Sequence, residues 1–323
     1  LDGRLADESE IKKAEFERLT KQFKAMMKRV HDTGGAVFSI ELLTTDEARS
    51  FIDSHAEVLN SSFRKTEMSD AMRKRLERSN WVFSGMKTFH EMNEAFPSML
   101  DEYGNRKPFE TFLNDVRSID ETYNRNYLRS EYNFVSASAE MAAKWEDFSQ
   151  DGDRYDLQYR TAGDERVRPE HAAMDGITLP YSDPFWEDFT PPNGWNCRCT
   201  VVQVRRGKYE RTDSDVAQGL GALATQSDKK GMFRFNPGAE GKTVPDYNPY
   251  TISKCKSCPI AKEDTGELAA NIPTNQNCEA CRIVRAMKEE YSYYSEDRNI
   301  RIHKRHGKAE KQENLDIATY FSS

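Results

Sequence analysis

The sequence predicts an α+β protein: a mostly helical N-terminal half, a small α+β core with short strands, and a C-terminal four-cysteine module of zinc-ribbon type. Three observations predict it. Apolar residues recur at three- and four-residue steps through the first half; Tyr155, Leu157 and Tyr159 alternate as in a strand, with a second short strand over 200–204; and two Cys-x-x-Cys pairs lie near the end. On this basis the chain divides into a helical region (1–107), the α+β core (108–206), a linker and packed loop (207–250), the four-cysteine module (251–296) and a basic tail (297–323).

The helical half is read from its stripes and caps. Phe16, Leu19, Phe23, Met26 and Val30 place one amphipathic helix over 7–33, closed by Gly34 and Gly35. Thr45 suits the N-cap of a helix over 46–60 that buries Ile52, His55, Val58 and Leu59, and Ser69 that of a helix over 70–83, ending before Gly85. Residues 86–106 read as less regular. Pro108 then fits the first position of a helix, whose stripe from Phe109 to Trp145 is either one long helix or two with a break near 125. Within it, Arg129 and Glu131 have two readings, a solvated face or a partly buried ion-pair network with Arg160, Asp164 or Arg166.

Composition bounds the function. Hydrophobic residues make up 37% and charged residues 31%, and mean hydropathy is −0.85, which suits elongated helices and loops more than one large core. A net charge of −7 argues against a protein that coats nucleic acid. No run approaches the ~20 apolar residues of a membrane span, and no signal peptide is visible. The chain opens on Leu1 and closes on ENLDIATYFSS, which reads as the start of a further helix, so a C-terminal effector domain is expected to follow.

The six cysteines form three close pairs. Cys255, Cys258, Cys278 and Cys281 present two knuckles separated by 19 residues, a spacing that points four thiolates at one structural Zn²⁺. Two pairs of inert thiols or a disulfide clip are the plainer alternatives. Cys197 and Cys199, on an emerging strand, turn both sulfurs to one face and Arg198 to the other. A turn begun by Pro169 and ended by Gly176 sets His171 and Asp175 on one side. Brought together, His171, Cys197 and Cys199, with Asp175 or water, make a second metal site. The readings beside it are a histidine oriented by Asp175 next to small buried thiols, or a nucleophilic Cys–His pair, against which the local density of aromatics and prolines argues.

No paired nuclease carboxylates, His-x-Glu-x-x-His or phosphate loop supports catalysis. The glycines at 219–221 mimic a dinucleotide fingerprint without the strand that should precede it. The basic run Arg301, His303, Lys304, Arg305, His306 and Lys308 offers weak nucleic-acid contact at most, since no aromatics interleave with it.

Residues 127–148, then YRTAGDERVRPEHAAMDG, DPFW, PPNGWNCRC and the Phe-Asn-Pro-Gly at 235–238, resemble the phage Mu F-like family of minor head, or head-morphogenesis, proteins. The resemblance covers roughly residues 110–240 and centres on Arg168, Pro169, Glu170, His171, Asp175, Gly176, Pro192, Gly194, Trp195, Cys197, Arg198 and Cys199, with Trp186 in the DPFW element. It implies a virion-associated protein of a tailed phage or prophage, present in few copies at the portal and capsid interior after assembly in the host cytoplasm, and non-catalytic within these residues. The family is also similar to delivery domains fused to C-terminal toxins or nucleases, which supplies the alternative reading. The four-cysteine unit and basic tail depart from a minimal member.

Overall fold

The computed structural model describes residues 11–33, 38–228, 231–251 and 281–287. Helix α1 (Lys13–Asp32) starts where the Glu15 carboxylate accepts the Lys12 backbone N–H at 3.1 Å, and buries Leu19, Phe23, Met26 and Val30. Helix α2 (Asp46–Ser61) is capped by Thr45, whose hydroxyl accepts the Ala48 N–H, and its expected face is buried. Ser69 caps α3 (Asp70–Ala95) through the Met72 N–H at 3.0 Å.

Helix α3 runs past its expected end at residue 83. Gly85 does not stop it; it admits a neighbour, because a Cβ there would overlap the Val284 side chain of the helical segment 281–287. Beyond it the buried face is polar: Ser84, Lys87, Thr88 and Glu91 are almost fully enclosed, so apolar periodicity fades while the helix continues.

After the Pro108 cap come α4 (Phe109–Asp115), α5 (Arg117–Glu121), a π-helical stretch (Thr122–Tyr127) and α6 (Leu128–Asp151). The expected choice between one helix and a break near 125 is thus resolved by a widened turn, which carries Asn124 into the interior. Glu131 is buried as well, but its partners correct the expected network. Lys87 Nζ donates to Glu131 at 2.6 Å, to His55 Nε2 at 3.0 Å and to the Tyr123 carbonyl at 2.7 Å, and the Tyr250 hydroxyl donates to Glu131 at 2.6 Å. Arg129 is exposed, and Asp164 pairs elsewhere.

The second half builds an antiparallel sheet of order β2-β1-β3 from β1 (Tyr155–Arg160), β2 (Thr178–Pro180) and β3 (Thr200–Arg205). Leu157 faces Leu179 on one side, and Tyr159 faces Val201 on the other. Strand β2, three residues long, was not expected. Short helices α7 (Pro169–Ala172) and α8 (Phe185–Phe189) occupy the β1–β2 and β2–β3 connections. Helix α9 (Ser214–Ala224) gives the expected polar linker a regular core, and α10 (Pro237–Glu240) interrupts the expected extended loop.

Two apolar cores share α6. Phe134, Val135 and Ala139 face the helices, whereas Met141, Trp145 and Phe148 face the sheet, α8 and α9. The strap 231–251 crosses both. Asn236 Nδ2 donates to the Trp186 carbonyl at 2.9 Å, its Oδ1 caps α10, and Gly238 lies so flat on Trp145 that a Cβ would overlap the indole side chain. Among the described residues no helix is long and apolar enough to cross a membrane.

Candidate metal centre

Three local structures converge behind β1. In α7, Pro169 occupies the first turn, where its fixed φ suits the helix and its missing N–H costs nothing. That single turn sends His171 inward, 3% exposed, and leaves Ala172 and Ala173 outside. Asn196, at φ 56, then reverses the incoming chain, and the Cys197 N–H closes the turn on the Gly194 carbonyl at 3.1 Å. Cys197 and Cys199, just ahead of β3 and not on the strand itself, are both buried.

Their sulfurs stand 3.7 and 3.8 Å from His171 Nδ1, and the three donor atoms lie within 4.8 Å of one another. Zinc bonds of about 2.3 Å to sulfur and about 2.0 Å to nitrogen, at the tetrahedral angle, separate the two donors by about 3.6 Å. The cluster therefore fits a small thiophilic cation. Its electrostatics favour one as well. The hydrogen bond from Cys199, with help from His171 and against burial, holds the Cys197 thiol well below its usual range. The same bond, together with burial, pushes Cys199 up. A cation bound here would displace the thiol protons.

Other residues fix this geometry. Arg168 donates to the Trp195 carbonyl at 2.6 Å and rests 3.4 Å from His171 Nε2, so it ties α7 to the thiol loop. Gly194 leaves room for it, because a Cβ there would stand 2.8 Å from Arg168 Nη1 and push the guanidinium aside. Arg198 points away from the sulfurs and grips Asp164 through two bonds of 2.5 Å; that grip, first among several contacts, brings the Asp164 carboxyl down to about 2. Trp195 packs on Phe134 and Phe233 with ring centres 5.1 and 5.5 Å away. Trp186 is buried and donates to the Pro180 carbonyl, and Pro192 is buried beside Asn193.

Asp175 does not join the cluster. It lies beyond the single turn of α7, is exposed, and accepts from the Thr161 N–H and hydroxyl at 2.7 and 3.1 Å. Tyr159, which the sequence showed only as a strand residue, does join it. Fully buried in the same cluster as the two cysteines, it donates to Asn193 Oδ1 at 2.9 Å. A cavity of about 420 Å³ lies on the imidazole's outer side, lined by Arg168, His171, Asn193, Trp195 and Phe233 among others; the two cysteines are not in its wall.

Of the expected four-cysteine site, Cys255, Cys258 and Cys278 lie outside the described residues, as does the basic run at 301–308. Cys281 is described: half-buried against the helical core, its sulfur accepts from Arg285 Nε at 3.4 Å.

A short sheet and a thiol loop clasped to a long helix define a small α+β core built around a histidine and two cysteines. Residues 102–202, which contain this cluster, match the family described as Phage Mu protein F like protein, so this stretch of the chain is a Mu F-like segment. It is similar to the putative capsid assembly protein F of Escherichia phage Mu, 30% identical over 132 residues, or 40% of this chain and 27% of that protein. It is also similar to the Mu-like prophage FluMu F protein of Haemophilus influenzae, 27% identical over 120 residues, or 37% of this chain and 26% of that protein. The similar stretch thus spans about a quarter of the length of these curated relatives. No solved structure matches.

Proposed function

We propose that this chain is a head-assembly component of a tailed phage or prophage, acting through protein contacts at the portal and capsid interior and not through catalysis. The observation that carries the reading is the coincidence of the matched stretch with the clamped core. The segment that matches the Mu F-like family, residues 102–202, is the one in which α6, β1, α7 and the thiol loop lock together. The Mu F-like segment is then a rigid platform that presents surface to partners during assembly in the host and remains in the virion.

In this reading His171, Cys197 and Cys199 hold a Zn²⁺ that fastens the platform, and the four cysteines between 255 and 281 hold a second, structural zinc. Zinc supplies cross-linking strength; the residues themselves set the loop geometry. The segment boundaries at 108, 207 and 251 belong to the same proposal, and limited proteolysis that first cuts near them supports it. Co-purification of the tagged chain with the portal and major capsid proteins of its own phage tests the function. Retention of the portal protein is the expected result. Loss of both partners at physiological salt, with the chain folded, contradicts it.

A further inference from the structure

Beside His171, the cavity of about 420 Å³ falls within the ~300–1,000 Å³ of ordinary ligand pockets. Its apolar wall is a corner of two rings. Trp195 from the thiol loop and Phe233 from the strap, both partly buried, stand with centres 5.5 Å apart and planes at 88°. Ser227 lies on the exposed rim.

The polar groups of the wall divide into spent and free ones. Arg168 holds the Trp195 carbonyl with one nitrogen and has another 3.4 Å from His171 Nε2. Asn193 donates to the Thr190 carbonyl and accepts from Tyr159. The Thr225 hydroxyl donates to the Gly221 carbonyl and accepts from Arg234 Nε. Asp228 uses only Oδ2, which accepts the Phe233 N–H at 2.7 Å. Among the described residues nothing donates to its Oδ1 or to the Glu170 carboxylate. What the cavity offers a ligand is therefore negatively charged acceptor capacity, two carboxylates against one guanidinium, beside two aromatic rings.

A cation on an apolar stem satisfies both halves. Arginine does so better than lysine, because a flat guanidinium stacks on aromatic rings and donates in several directions at once. Arginine is also enriched where protein partners meet. We propose that this cavity is a docking site for an arginine side chain of a partner protein, which packs in the Trp195–Phe233 corner and donates to Glu170 and Asp228. The proposal rests on the reading of this core as a platform for protein contacts.

The test titrates the full chain, isotope-labelled at tryptophan, with acetyl-Gly-Arg-Gly-amide. The indole N–H signal of Trp195, assigned by its loss in Trp195→Phe, reports occupancy. A saturable shift is expected, absent with the citrulline peptide, which keeps the shape and loses the charge. Glu170→Gln with Asp228→Asn should weaken binding at least about fivefold and release the portal or capsid protein that co-purifies with the parent; Glu187→Gln, on α8, should do neither. Asp228→Asn keeps an acceptor for the Phe233 N–H, and circular dichroism checks the fold; should the pair fail to fold, Glu170→Gln alone decides. No shift of the Trp195 signal in the folded parent, or an equal one with citrulline, overturns the docking site and leaves the head-assembly reading to its own test. Full retention of the partner by the variant, despite peptide binding to the parent, overturns the docking site too. A parent that retains neither partner overturns both.

Discussion

Lys87, Glu131 and Glu91 put ionisable groups in the interior of the helical half, and each answers to a different balance. Lys87 has three donors and three acceptors, in Glu131, His55 and the Tyr123 carbonyl. Although burial alone would raise Glu131, the charge of Lys87 brings it down to about 2. Burial, then Lys87, moves His55 down to about 4, which leaves it neutral, accepting from Lys87 and donating to the Ser84 hydroxyl at 2.7 Å. Removing one partner strands the other. Lys87→Met should cost about 3–5 kcal/mol in chemical denaturation at pH 7, and a loss below about 1 kcal/mol would show that Glu131 finds another partner.

Glu91 goes the other way. Burial, opposed by Lys87 and Asn124, pushes it up to about 8, and its Oε1 has no hydrogen-bond partner, which favours the neutral acid. A group raised in the folded state binds more protons there than in the unfolded chain. The stability it contributes is therefore complete below its ordinary value of 4.5 and is lost as pH rises towards 8. Glu91→Gln mimics the neutral acid and should remove that loss, gaining about 2–4 kcal/mol over the parent at pH 9 and little at pH 5. Parallel stability curves for the two proteins between these pH values would contradict the buried proton.

The sequence showed part of this scale. Cys197 and Cys199 were legible because alternate residues on extended chain share a face, and His171 because Pro169 fixed the turn that carries it. Asp175 was misplaced because spacing by four makes neighbours only while a helix lasts, and α7 is one turn long. Lys87 and Glu131 lie 44 residues apart, and no local pattern announces such a pair.

Among the elements, caps were the clearest signals: Thr45 and Ser69 start α2 and α3 as their side-chain chemistry requires. Ends were harder to read. Gly85 has the look of a terminator, yet α3 passes through it because the segment 281–287 needs the space. The polar residues that follow it face inward, which reverses the usual meaning of a polar stretch. Strand β2 is too short for alternation to register.

Two glycines separate local propensity from packing. Gly219, in the interior of α9, is exposed and has open space where a methyl group would stand, so Gly219→Ala should stabilise the protein by about 0.5–1 kcal/mol. Gly238 lies against the Trp145 side chain, so Gly238→Ala must displace the indole or lift the strap, at about 1–3 kcal/mol. Thermal denaturation of both variants checks the pair. A destabilising change at 219 or a neutral one at 238 would refute the packing described.

At the scale of the whole molecule, α6 carries both cores, the strap 231–251 binds them from outside, and the thiol loop fastens the sheet to α7 and, through Trp195, to α6. Broad class followed from patterning: helices from stripes, a small sheet from alternation. The joint between the halves did not, because it is made by Phe134, Trp145, Trp195, Phe233 and Phe235, whose partners are distant in sequence. If a cation fastens this joint, then with serine at residues 255, 258, 278 and 281 chelation should lower the melting temperature, and His171→Ala in that background should melt at the chelated temperature with or without added Zn²⁺. A chelator that leaves the parent protein unchanged would deny the cation a structural part.

The central claim is that the Mu F-like core serves phage head assembly as a structural component. Quantitative mass spectrometry of purified heads from the phage that encodes this chain tests it most directly. Peptides from residues 155–205 are expected at a few copies per particle, retained after stringent washing; their absence from intact heads while the chain is abundant in the lysate would contradict a structural role.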